Sequence, residues 1–390
     1  MMTLVGRRWM GTAALTLAAA GVAFAQPQRS AAASESQQKA LPDRLTDQEF
    51  WKLIDSVSEP NGFFRSDNLL SNETGFQWVI PPLLKSPRAG KVYLGVGPEQ
   101  NFTYIAAIKP KMAIIFDIRR GNLHEHMLYK ALFELSKDRA DFVSRLFGKP
   151  RPAGLDTTTS GDSIMNAYWG IDGDSAYFVQ QKAAVRDLLA TKHHFGLTND
   201  DWAGIWYVWD MFYSWGLPIT YNSSSNGGGF GGRGGGMPDY YTLMTATDGA
   251  GVNRSYLANE ANWRVLKDLE VKNLLVPVVG DFGGPSAIRR VSGWLKERNA
   301  TVTALYASNV EQYLWQDGKA YAYYDNVAQL PIDSTTVWIR SNGSALGRGF
   351  GGGGAGGMRS PNLLCPVQQL LDANKAGQIY SYQSIFNYCY

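Results

Sequence analysis

Two glycines and three carboxylates carry most of the chemistry that this sequence offers. The stretch Gly95-Val96-Gly97-Pro98-Glu99-Gln100-Asn101 is a glycine turn. Glycines there let the chain reverse tightly and let a ligand approach the backbone closely. Asp117 lies twenty residues beyond Gly97, the spacing at which an acid ending the next strand accepts the hydroxyls of a ribose. Asp248 stands in Ala246-Thr247-Asp248-Gly249-Ala250-Gly251 and Asp281 in Gly280-Asp281-Phe282-Gly283-Gly284. Each follows an apolar run, and Ser308 and Asn309 follow another. If those runs are parallel strands, Gly95, Gly97, Asp117, Asp248 and Asp281 meet in one cleft at the strands' carboxyl ends. The competing expectation makes these aspartates ordinary caps of the helices that follow them.

The elements that would position these residues alternate along the chain. Short buried strands are expected at 92–94, 112–116, 241–246, 274–279 and 302–306, with a further one at 336–339. Helical periodicity covers 102–108, 123–147, 255–269, 287–298 and 310–315. Frequent strand–helix alternation with all-apolar strands specifies an α/β fold. Its sheet is doubly wound and mostly parallel, with helices on both faces. Earlier, Thr46-Asp47-Gln48-Glu49 forms a capping box before a helix over 50–57, and residues 63–90, broken by prolines, are expected to be irregular. Residues 148–239 interrupt the alternation as a helical insertion with helices over 175–190 and 200–215. That insertion ends in the glycine run 227–236, and a second run spans 347–357.

The amino terminus has the layout of an export signal. Arg7 and Arg8 precede an apolar stretch from Met10 to Phe24, and no acidic residue comes before Glu35. Ala23-Phe24-Ala25 is a small-x-small cleavage pattern, so the mature chain is expected to begin at Gln26, in the periplasm or outside the cell. Residues 26–42, rich in Ser, Ala, Gln and Pro, are expected to be a tether, followed by a single domain over 43–390. No segment of the mature chain is long and apolar enough to span a membrane as a helix. The net charge of +3 over the whole chain argues against nucleic acid as a partner, because phosphate binding needs clustered excess positive charge. A small-molecule ligand is expected instead, and no feature of the sequence specifies an oligomeric state. The two cysteines, Cys365 and Cys389, are candidates for a disulfide in an oxidising compartment; two separate buried thiols are the alternative.

Other features invite chemistry. Trp202, Trp206 and Trp209 fall on one helical face, as core packing or as an aromatic wall for a sugar-like or apolar ligand. His124 and His126, two apart on a helix, point to different sides and cannot chelate one metal together. No cluster has zinc spacing, and no Gly-x-Ser-x-Gly elbow follows a strand.

The span Val92–Asp117 resembles the cofactor-binding start of the class I S-adenosylmethionine-dependent methyltransferases. That resemblance implies S-adenosylmethionine as the cofactor. The methionine part would lie against Gly95 and Gly97, with Asn101 in the same turn, and Asp117 would hold the ribose. It places Asp248 near the adenine side and makes Asp281 the residue that faces a methyl acceptor as the catalytic group. The sequence departs from the family's pattern at Tyr93, where many members carry an acid, and at Glu99, where many carry a third glycine. The mature chain also resembles an uncharacterised bacterial family of exported proteins with this fold, through residues 93–101, 247–251 and 308–314. An alternative function on the same scaffold is a non-enzymatic binding or interaction protein of the cell envelope.

Overall fold

A computed structural model describes residues 39–221, 223, 237–341 and 362–390. The expected signal peptide, most of the tether and both glycine runs lie outside the described residues. Where the tether is described, Leu41 already packs against the core. From Gln38 to Tyr390 the chain forms one compact unit.

The centre is a six-stranded sheet in the order β3-β2-β1-β4-β5-β6. The strands are β1 (Val92–Val96), β2 (Met112–Asp117), β3 (Leu275–Val279), β4 (Val302–Ser308), β5 (Ile332–Ser341) and β6 (Asn362–Pro366). The first five run parallel, and β6 is antiparallel to β5. Every residue of β1, β2 and β3 is buried, as a sheet covered on both faces requires. Pro277 is tolerated in β3 because that strand is an edge, paired only with β2. The other edge is covered by the chain's own end. Leu364 and Tyr390 exchange backbone hydrogen bonds at 3.0 and 2.9 Å, and Cys365 and Cys389 are joined by a disulfide.

The strand order reverses between β1 and β4. In open α/β sheets that switch point opens a crevice outside the strands' carboxyl ends. The fold is therefore α/β, doubly wound and mostly parallel.

Residues 63–90, expected to be irregular, carry two short helical turns, Phe76–Val79 and Ile80–Leu83, and three expected elements differ. The strand expected over 241–246 is a helix, Tyr240–Thr245, started by the Asp239 side chain accepting from Thr242 N at 2.7 Å. A run of apolar residues this short has no period of its own, and the cap decides it. The helix expected over 123–147 is two, Arg120–Leu135 and Arg139–Phe147. Ser136 is extended, and Asp138 caps the second helix by accepting from Asp141 N at 2.8 Å. The helix expected from 255 begins at Glu260, where Asn259 caps it.

Candidate functional site

A cleft enclosing about 1000 Å³, open solvent included, lies at the switch point. Its strand-end wall is built from Gly97, Asp117, Asp281, Tyr306 and Ser308. The structure thus brings together Gly97, Asp117 and Asp281 among the residues singled out from sequence. It does not bring Gly95, Asn101 or Asp248 to the cleft lining.

Gly97 has φ +75°, in the left-handed region that favours glycine. A side chain there would meet no protein atom within 4 Å, so the turn leaves its wall bare. Gly95 is required for a different reason. A Cβ on it would stand 1.8 Å from Asn101 Oδ1. The Asn101 amide is folded inside the turn, donating to Val96 O at 2.8 Å and Pro98 O at 2.7 Å and accepting from the Tyr93 hydroxyl at 2.8 Å. Asn101 is fully buried and ties the turn together, with its polar atoms already engaged. His126 supports the same turn from below, with Nε2 2.9 Å from Gly97 O. Burial lowers its pKa to about 4, so the ring is neutral at pH 7 and this nitrogen donates.

Asp117 ends β2 and is buried. Its carboxylate is not free in the cleft, because Asp117 holds Arg119. Its Oδ1 accepts from Arg119 N at 2.8 Å and Nε at 3.1 Å, and its Oδ2 from Nη2 at 3.0 Å. Arg119 Nη1 donates in turn to Asp67 O. A carboxylate has about four acceptor positions; three are filled, leaving one on Oδ2 for a ligand hydroxyl.

Asp281 follows β3. Its Oδ2 is 2.6 Å from Lys319 Nζ and its Oδ1 accepts from Gly283 N at 2.9 Å. Hydrogen bonding to Asp281 raises the pKa of Lys319, which keeps the amine charged. The two glycines after Asp281 make room for neighbours. A Cβ on Gly283 would lie 2.8 Å from Lys319 Cβ, and one on Gly284 would lie 2.7 Å from Glu59 Oε2.

Asp248 is elsewhere. No strand precedes it, and its buried carboxylate accepts from Ala250 N at 2.8 Å, from Val252 N at 3.0 Å and from Arg254 Nε at 2.5 Å. It closes its own loop, against helical turns carrying Gln77 and Trp78. Trp202, Trp206 and Trp209 also stay away from the cleft. They stack on one another at 5.2 and 6.2 Å and pack beside the helix Ser175–Arg186.

Several cleft residues were missed from sequence. Phe63, Phe64 and Asn68 come from the stretch read only as irregular. Phe63 is 85% exposed at the mouth, and Phe64 meets Tyr313 edge-on at 5.0 Å. Ser308 was noted only for its place after a strand. It has φ +49°, costly for a residue with a Cβ. Its hydroxyl donates to Glu73, a buried carboxylate that also accepts from Gln100 Nε2 at 2.7 Å and Asn362 Nδ2 at 2.8 Å. No spacing or period marks Glu73 in the sequence.

Residues 69–154 and 214–351 match a family described as a domain of unknown function (DUF7790). The match covers more than half of the chain. The chain belongs to this family. The matched segments contain β1 to β5, and they leave out both the insertion helices Gly161–Trp169 and Ser175–Arg186 and the stretch 58–68, whose Phe63, Phe64 and Asn68 line the cleft. No curated protein matches the chain.

Proposed function

We propose that the cleft binds a nucleoside-bearing ligand such as S-adenosylmethionine. The observation that carries this reading is the meeting of Gly97, after β1, with Asp117, at the end of β2, on one wall of a cleft at the switch point. Doubly wound folds hold nucleosides there. Gly97 leaves the wall bare where the ligand would pass, and Asp117 Oδ2 retains one acceptor position for a ribose hydroxyl. Phe63, Phe64, Tyr306 and Tyr313 supply flat apolar surface for a base. S-adenosylmethionine, when bound, supplies a transferable methyl group. Asp281, held by Lys319, would orient an acceptor in the same cleft. Equilibrium titration of the protein with S-adenosylmethionine and S-adenosylhomocysteine, with and without Asp117, tests the reading; no saturable binding to either would sink it.

A second reading has its own observation. Arg119 already engages both oxygens of Asp117, which suits a scaffold turned to a different envelope ligand and no methyl transfer. Export to the periplasm or beyond belongs to both readings. The Cys365–Cys389 disulfide supports it, since such bonds persist in oxidising compartments. No described helix is long and apolar enough to cross a membrane.

A further inference from the structure

Helices that start at the carboxyl edge of a parallel sheet present unpaired N–H groups, and these hold phosphate in many folds of this class. In this chain the three long helices starting there are answered from within. After β3, the helix Ala287–Lys296 is met by Glu59. Its Oε1 accepts from Ser286 N at 2.8 Å, Ser286 Oγ at 2.9 Å and Ala287 N at 2.8 Å, and its Oε2 accepts from Asp281 N at 3.0 Å. Burial pulls the Glu59 pKa upward, but these hydrogen bonds prevail and hold it below the usual range, so the side chain is an anion. After β2, Asn61 Oδ1 accepts from Arg120 N at 2.7 Å, at the start of the helix Arg120–Leu135. After β1, Pro98 has no N–H and Gly97 N is spent on Phe116 O at 3.2 Å. The first turn of the helix Gln100–Ile108 closes on itself, Asn101 N to Pro98 O and Phe102 N to Glu99 O.

The stretch that carries Glu59 and Asn61 is fixed in place. Glu59 N donates to Val279 O and Gly62 N to Ile118 O, both at 2.8 Å, so residues 58–62 run across the ends of β3 and β2. Gly284 is the residue that lets Glu59 in, since a Cβ there would collide with its carboxylate. The charged residues lining the cleft, among those described, are Asp117, Asp281, Asp317 and Lys319. The one amine is bound to Asp281.

We infer that the ends of β1, β2 and β3 at this cleft are built to refuse phosphate, with Glu59 filling the anion position at the start of Ala287–Lys296. The ligand class is therefore a nucleoside without a phosphate. Only that class rests on the nucleoside reading above; the refusal is a property of those strand ends themselves.

The test uses the full chain and two probes. Millimolar inorganic phosphate, at matched ionic strength against chloride, should leave the melting temperature of the parent unchanged. Glu59→Ala should melt lower and gain a phosphate-dependent rise, because three backbone donors are then open to an anion. If that variant does not fold, Glu59→Ser, whose short side chain also leaves those donors open, replaces it with the same expected gain. Calorimetric titration should find adenosine bound about tenfold or more tightly than adenosine 5′-monophosphate. A parent stabilised by millimolar phosphate overturns the inference, as does monophosphate binding equal to or tighter than adenosine. A folded Glu59 variant without a phosphate response overturns the role given to Glu59. If neither nucleoside binds, the nucleoside reading falls, while the phosphate titration still decides the refusal.

Discussion

Arg119 grips Asp117 from two residues away in the chain, with its backbone N and Nε on Oδ1 and Nη2 on Oδ2 at 2.8, 3.1 and 3.0 Å. Both side chains are about nine-tenths buried. Removing one partner of a buried pair leaves the other charge unanswered, at a cost of about 3–5 kcal/mol. Asp117→Ala should therefore lose about 3 kcal/mol in urea denaturation. Asp117→Asn keeps the shape and one accepting oxygen, so it should lose less stability. It should still weaken nucleoside binding by about tenfold, the worth of one charge-assisted hydrogen bond. Lowered stability with unchanged nucleoside affinity would leave Asp117 as a support for Arg119 alone.

Ser308 combines a left-handed backbone with a hydroxyl donated to buried Glu73. Ser308→Ala removes the donor and keeps the backbone cost, so it should lower stability by about 1–2 kcal/mol. Ser308→Gly also removes the donor but adopts this φ freely. It should melt above the alanine variant. A glycine variant that melts below it would deny the strain.

Glu99 is fully buried at the start of the helix Gln100–Ile108, and the hydrogen bonds its carboxylate receives from the Ser71 and Glu99 backbone do not offset that burial. Burial raises its pKa to about 8. The folded value lies above the unfolded one, near 4.5, so the folded state binds the proton more tightly. The stability this gives is complete below about pH 4.5 and is lost as pH rises through 8. Glu99→Gln, a neutral side chain of the same size, should be close to neutral at pH 4. At pH 7 it should stabilise the fold by up to about 3 kcal/mol. Melting curves of both proteins from pH 4 to 8 check this, and parallel curves across that range would refute it.

The disulfide closes a loop between residues 24 apart in sequence. Loop-closure entropy for a loop of that length gives about 3 kcal/mol. Cys365→Ser combined with Cys389→Ser should lower unfolding free energy by that order. The parent should lose a similar amount on adding a reductant, while the double variant should be insensitive to it.

The sequence by itself determined the sheet's parallel core. Four of its strands are continuous apolar runs between helices of clear period, and β1, β2, β3 and β4 stand where those runs predict them. It also determined that Gly97 and Asp117 would meet, because both sit at the ends of adjacent strands and the chain between them is one crossover. What the tertiary structure decided is the set of partners. Asp117 and Arg119 are two residues apart, but only the end of β2 turns the guanidinium back onto the carboxylate. Asn101, expected to meet a cofactor, lies in the first turn of the helix Gln100–Ile108, and its amide folds inward because Gly95 leaves space for it. Asp248 shares a turn composition with Asp281 but lacks a strand before it, since capping by Asp239 outweighs a short apolar run. Glu59, Phe63 and Glu73 come from a stretch with no period at all. Their places are set by long-range hydrogen bonds and packing at the ends of strands far away in sequence, and local pattern carries no record of such contacts.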